Sequence, residues 1–266
     1  MKTLHFFLGG RDLETVTITQ LLNETWPGSY SDYGLSWGAR SSAYESEIRA
    51  ALAANRTPVL VELEDDLGLP KDSVIVVDHH GDRSGDGRPT SLHQVFALLA
   101  LPRDRWTRWF ELVAANDSGH VNAMLDVGAT PDELRRVRAS DRAAQGITPE
   151  QERAGEEAAR SARSYENGDL LVVDLPHNRT ATVTDRLHRA LGGPGYENLL
   201  ICSPDEVNFY GSGDLVHLLS GLLPGGWRGG DTRHGFWGAH AGHAAALGIL
   251  ISALKDRRGA NQPSGT

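Results

Sequence analysis

The sequence predicts an α/β protein: a doubly wound parallel sheet in its N-terminal domain, then a helical linker and a smaller mixed α/β C-terminal domain. Three observations predict it. Short, largely apolar runs, rich in β-branched residues and closed by acids or histidine, recur near the start, as strands buried on both faces do. Helical stretches alternate with them. Strand signals then resume after Gly168, beyond a helix rich in Glu, Arg and Ala.

In chain order, Lys2–Leu8, Pro58–Leu63 and Ser73–Val77 read as parallel strands, and Thr15–Leu22 and Ala43–Ala54 as helices. From Thr90 to Asn116 the spacing is helical, and Pro102 divides it in two because proline supplies no backbone donor. Pro131–Arg138 and Pro149–Tyr165 are further predicted helices, the second a solvated, salt-bridged connector. Leu170–Val173, Leu199–Cys202 and Glu206–Tyr210 predict strands; Ala181–Leu191, Asp214–Leu222 and Gly242–Leu254 predict helices. The expected domains are 1–150 and 168–258, with a linker at 151–167 and a flexible polar tail at 259–266. Between Gly221 and Gly248 glycine is dense, which reads as a loop carrying Trp, Arg and His.

The 266 residues are 39% hydrophobic and 23% charged, an ordinary globular balance with enough chain for a sizeable core. One cysteine, Cys202, excludes an intramolecular disulfide framework and a cysteine-rich zinc module, and fits a reducing, cytoplasmic setting. The apolar start is too short for a signal peptide, and the longest apolar stretch, Ala244–Leu254, is half a membrane span, so no membrane partner is expected. A net charge of −9 argues against a long nucleic-acid track. A short ligand, held phosphate-first by a few local cations, is compatible with it.

Asp78-His79-His80 directly follows the apolar run Ser73–Val77, where an open parallel sheet faces its ligand crevice. Asp12 and Glu14 follow the first strand, Glu62 and Glu64 close the second, and Asp117 closes a helix. One such acid is an ordinary solvated strand end. Several at one sheet edge would repel each other in a partly dry cleft unless a cation joined them. Carboxylates and an imidazole without a thiolate suit Mn²⁺ or Mg²⁺, one ion or two. Carboxylates bridging two such ions acidify a shared water and clamp a phosphoryl group.

These motifs resemble the DHH phosphoesterase superfamily, which includes single-strand exonucleases, nano-RNases, cyclic-dinucleotide phosphodiesterases, family II pyrophosphatases and exopolyphosphatases. The resemblance rests on Asp12 and Glu14, on Glu62, on the DHH triplet, on Asp117, and on Thr90-Ser91 opening the next helix. Near the C-terminus, Gly242-His243 and the alanines after it resemble the glycine-rich motif of the DHH-associated domain. The resemblance implies one metal site of Glu14, Glu62, His79 and Asp117, and another of Asp12 and Glu62, with Glu62 bridging. It implies that Asp78 orients His79, that His80 meets the substrate phosphate, and that His243 approaches it from the second domain.

Four departures stand out. Leu8 occupies the place of a family histidine, Glu replaces Asp at 14 and 62, and Gly211-Ser212 replaces an Arg-Ser pair. About fifteen residues also separate Gly226 from Gly242, splitting the C-terminal motif. Arg228 and Arg233 in that insertion are expected to supply the missing phosphate contact, and Trp227 and Trp237 to stack on a base. The function expected is a metal-dependent phosphodiesterase acting on short oligonucleotides or nucleotide derivatives, with room for a homodimer. The alternatives are a pyro- or polyphosphate hydrolase and a degenerate member that binds nucleotide without hydrolysis. His5 and His217 read as core or surface histidines, Trp106, Trp109 and Phe110 as core, and His93 carries no motif.

Overall fold

The structure, a computed structural model, describes residues 3–36, 38–79, 89–230 and 232–261. It divides into two compact units at Gly146–Ile147. The first carries a four-stranded parallel sheet built from β1 (Leu4–Leu8), β2 (Tyr30–Asp32), β3 (Thr57–Val61) and β4 (Ile75–Val77), in the order β2-β1-β3-β4. Side chains alternate across the pleat, so Phe7 and Leu60 face α2 (Glu45–Ala53) and the turn before it, where Tyr44, Ile48 and Ala51 cover them. Phe6, Leu8, Val59 and Val61, on the other face, are fully buried too. Burial on both faces is why these strands read as unbroken apolar runs.

Helix α1 (Leu13–Thr25) packs with α3 (Ser91–Leu98), α4 (Arg108–Asp126) and α5 (Pro131–Ala144). Helix α4 is broken at Gly119 and His120, the latter at φ 51°, so Asp117 stands in the last turn before the break.

In the second unit the sheet order is β5-β6-β7-β8-β10-β9, from β5 (Arg163–Tyr165), β6 (Leu170–Asp174), β7 (Leu199–Cys202), β8 (Glu206–Gly211), β9 (Trp227–Gly230) and β10 (Gly235–His240). Only β6 and β7 pair in parallel. One face, with Val172, Leu200, Val207 and Phe209, packs on α8 (Gly213–Leu222) and α9 (His243–Asn261). The other, with Val173, Leu199 and Ile201, packs on Ala158 of α6 (Pro149–Arg160) and Val183 and Leu187 of α7 (Ala181–Leu187).

Four expectations change. The segment read as a linker is mostly α6, which packs on α7 inside the second unit; Glu152 pairs with Arg186 at 2.7 Å, and a Cβ on Gly155 would meet the Thr182 side chain. Helix α9 runs to Asn261, past the expected start of the tail, whose residues 262–266 lie outside the described ones. Residues 163–165, read as the helix end, form edge strand β5. The glycine-rich stretch is no loop: β9 and β10 make an antiparallel hairpin that extends the sheet. Its glycines leave room for rings, since a Cβ on Gly238 would meet the Trp227 indole at 2.4 Å and one on Gly229 the Phe236 ring at 2.5 Å.

Candidate metal centre

Glu14 is the second residue of α1, Glu62 follows β3, and His79 stands two residues beyond β4, all at carboxyl ends of parallel strands. Asp117 comes from α4, before its break. The chain passes from β1 to α1 through Gly9, where a Cβ would fall 2.2 Å from the Glu62 carbonyl oxygen. Glycine is therefore required for β1 to leave the sheet beside Glu62. Glu62 takes the left-handed conformation at φ 53°, and its N–H donates to the Val77 carbonyl at 2.8 Å.

One ligand atom each from Glu14, Glu62, His79 and Asp117 lie within 4.8 Å of one another. His79 Nε2 is 2.5 Å from Asp117 Oδ2 and 3.7 Å from both Glu14 Oε2 and Glu62 Oε1. Glu14 is 1% exposed. Its Oε1 accepts the Leu92 N–H at 3.0 Å, whereas its Oε2 is buried with no hydrogen-bond partner among the described residues. Burial holds the Glu14 carboxyl well above the usual range; Asp117 and Asp12 add to the shift, and hydrogen bonds from Thr90 and Leu92 oppose it. A dry carboxylate with a spare oxygen among two more acids and an imidazole fits a hard-to-borderline divalent cation, Mn²⁺ or Mg²⁺.

The other N-terminal candidates lie around this group. Asp12 is outside it and caps α1, its Oδ1 accepting the Thr15 N–H at 2.8 Å. Leu8 is fully buried, and its carbonyl accepts the Tyr44 hydroxyl at 2.8 Å. The Asp78 carbonyl accepts from Gln94 of α3 at 3.2 Å. His80 lies outside the described residues. Thr90 and Ser91 are buried at the start of α3. His93, which carries no motif, stands beside them. Its Nδ1 is 3.1 Å from Thr90 Oγ1, its ring stacks on Trp106 at 4.2 Å, and burial followed by the charge of His79 lowers its pKa. The spacing of three from Thr90 along one helix turn is the signal the sequence offers for it.

In the second unit, Trp237 is 1% exposed within the core. Adjacent strand residues point to opposite faces, and Trp227 pairs with Gly238, so the two indoles lie on opposite sides of the hairpin. The expected two-tryptophan platform is therefore absent, and Trp237 serves packing. Trp227 is partly buried, edge-on to His240 at 5.2 Å. Arg228 shares the face of Trp237 and reaches His217 of α8 at 3.2 Å, while Arg233 is exposed in the hairpin turn. His243 Nε2 is 2.8 Å from the Ser203 carbonyl and 3.0 Å from that of Glu206, so an Nε2–H donates to both and leaves Nδ1 for other work. With Arg163, Asp174, Cys202 and Ser203 it lines an open cleft of about 450 Å³. Burial pushes the Cys202 thiol up to about 11, which leaves it protonated at neutral pH. Gly242, at φ 94°, turns the chain from β10 into α9.

No family model and no curated protein matches the chain. Solved structures do. RecJ in complex with Mn²⁺ from Thermus thermophilus is similar at 13% identity over 98% of this chain and 52% of that one, with a TM-score of 0.52. The DHH domain of a member of a ribosomal-protein family is similar at 12% identity over 96% of this chain and 86% of that one, with a TM-score of 0.51. This chain has the DHH-superfamily fold. It spans about half the length of that RecJ chain.

Set against the DHH motifs, two departures have a structural setting. At Gly211, where the motif has arginine, a Cβ would sit 2.3 Å from Asn198 Oδ1 and 2.7 Å from the Phe209 ring, so a side chain there requires both to shift. Asn198 there accepts the Ser212 N–H at 3.3 Å. The segment splitting the C-terminal DHH motif is the out-and-back hairpin β9–β10, which starts at Gly226 beside Gly238 and returns to Gly242. Among the described residues, no helix is long and apolar enough to cross a membrane.

Proposed function

We propose that this chain is a divalent-metal-dependent phosphohydrolase whose substrate is a phosphodiester in a short oligonucleotide or nucleotide derivative. The observation that carries the proposal is the buried group Glu14, Glu62, His79 and Asp117, with the unused Glu14 oxygen inside it. These four side chains would hold Mn²⁺ or Mg²⁺, and such an ion, when bound, neutralises a phosphoryl oxygen and acidifies a water. Asp117 and His79 bring their ligand atoms together, and Leu92 and Thr90 fix the Glu14 carboxyl. Asp12 is assigned to the helix end and, by its charge, to keeping Glu14 receptive to a cation. Asp78 orients the histidine segment, and His80 meets the substrate phosphate. In the second unit His243 offers Nδ1, Arg233 offers a cation at the hairpin turn, and partly buried Trp227 offers one ring face to the nucleotide on the side of the hairpin opposite Arg228. The net charge of −9 favours short substrates.

A second reading, pyro- or polyphosphate hydrolysis, is favoured by the burial of Trp237, which removes half of the expected base platform. Hydrolysis of a 5′-phosphorylated dinucleotide and of pyrophosphate, each with Mn²⁺ and with excess chelator, separates the two. Mn²⁺-dependent cleavage of the dinucleotide is expected. Cleavage of pyrophosphate alone establishes the second reading, and no cleavage of either overturns the hydrolase.

A further inference from the structure

Behind the metal group lies a buried polar network that its chemistry does not use. Arg138 and Asp141, both of α5, are each 3% exposed and form an ion pair at 2.9 Å. The Arg138 Nη1 also donates to Asn116 Oδ1 at 2.8 Å and stands 3.3 Å from His120 Nδ1. Asp141 Oδ1 accepts the Leu13 N–H at 3.3 Å, and its Oδ2 accepts from Gln145 at 3.0 Å. These partners are not scattered. Leu13 is the residue between Asp12 and Glu14, and Asn116 is the residue before Asp117.

Leu13 opens α1, so its N–H has no acceptor within its own helix, and a carboxylate there also complements the positive end of the helix dipole. Asp141 therefore ties down the turn that aims Glu14. Asn116 sits just before the α4 break, where the helix ladder stops at Gly119 and His120 and can no longer fix Asp117 from its C-terminal side. Arg138 supplies the restraint from outside the helix. Burying two charges is costly, and apolar residues of similar volume commonly serve stability as well or better. A buried pair that contacts the backbone or side chain adjoining two of four candidate ligands has another use.

The geometry points to Arg138 and Asp141 as positioning residues that preset the Glu14 and Asp117 carboxylates for the cation. This inference rests on the metal-centre reading above. Outer residues that orient ligands typically govern metal affinity by about 10- to 100-fold.

The test is Mn²⁺ titration calorimetry on the full chain, with thermal unfolding in chelator measured alongside. Replacing both charges by apolar residues, Arg138→Met with Asp141→Leu, removes the network without orphaning a charge. The melting temperature is expected to stay within a few degrees while Mn²⁺ affinity falls about tenfold or more. Arg138→Lys, which keeps the charge but loses the planar guanidinium that places Nη1 between Asn116 and Asp141, is expected to fall between the double variant and the wild type. Wild-type affinity in the double variant overturns the inference and leaves the pair a purely structural element. Should that variant not fold, the near-isosteric Asp141→Asn replaces it, and unchanged affinity there overturns the inference equally. A wild-type chain that binds no Mn²⁺ overturns the metal-centre reading itself, and this inference with it.

Discussion

Asp117 Oδ2 stands 2.5 Å from His79 Nε2, joining the last turn before the α4 break to the segment beyond β4. The two residues are far apart in sequence, yet they meet in one group that also holds Glu14 and Glu62. Removing the imidazole leaves three acids facing each other. His79→Ala is expected to abolish Mn²⁺-dependent hydrolysis with an unchanged far-ultraviolet circular dichroism spectrum. Activity persisting in that variant would exclude the centre as the seat of catalysis.

The raised Glu14 pKa makes a pH prediction with a definite sign. Its ordinary value is 4.5, and the folded value is higher, so folding takes up a proton in the window between them. The stabilising contribution is complete below 4.5 and is lost as pH rises through the folded value. In chelator, the melting temperature is therefore expected to decline as pH rises across that window. With saturating Mn²⁺ the decline should disappear, because the cation takes the proton's place. Thermal unfolding at a series of pH values, with and without Mn²⁺, reads both halves.

Asp12 spends an oxygen on the Thr15 N–H, and Leu8 brings no ligand. One tight Mn²⁺ per chain is the expected stoichiometry. Asp12→Ala should cost about 1 kcal/mol of stability as a lost helix cap. The tight site should survive it within a few-fold in affinity. Two equal tight sites in calorimetry would instead give Asp12 a ligand's role.

The two hairpin tryptophans should part company. Trp237→Ala empties a core position and is expected to destabilise the chain by about 3–5 kcal/mol. Trp227→Ala should leave the fold intact and weaken the Michaelis constant for a dinucleotide by about five- to two-hundred-fold, the range of one stacked base. Pyrophosphate turnover, with no ring to stack, should not respond. Equal loss on both substrates would make Trp227 a residue of shape alone.

How much was legible in the sequence followed burial. Strands β1, β3 and β4 are apolar on both faces, so they announced themselves and marked Glu14, Glu62 and His79 as residues at their carboxyl ends. Edge strands β2 and β5 are three residues each and mostly polar, so no apolar run betrayed them. The hairpin was hidden for a different reason. Gly229 and Gly238 resemble loop glycines in sequence, and only the rings lying against them show that they belong to strands. The partnership of Arg138 and Asp141 with Asn116 and Leu13 was equally invisible, because it joins three helices through side chains that each look like surface charge or filler.

The left-handed backbone at Glu62 has a consequence for anyone reshaping this protein. A glutamate at φ 53° carries strain of about 1–3 kcal/mol, and glycine at that place would relieve it. Stability-driven redesign, or drift released from selection for activity, would therefore favour losing this side chain early. A glutamate kept at Glu62 across a lineage would be a record of continuing use, and its exchange for glycine an early mark of a copy turning to other work.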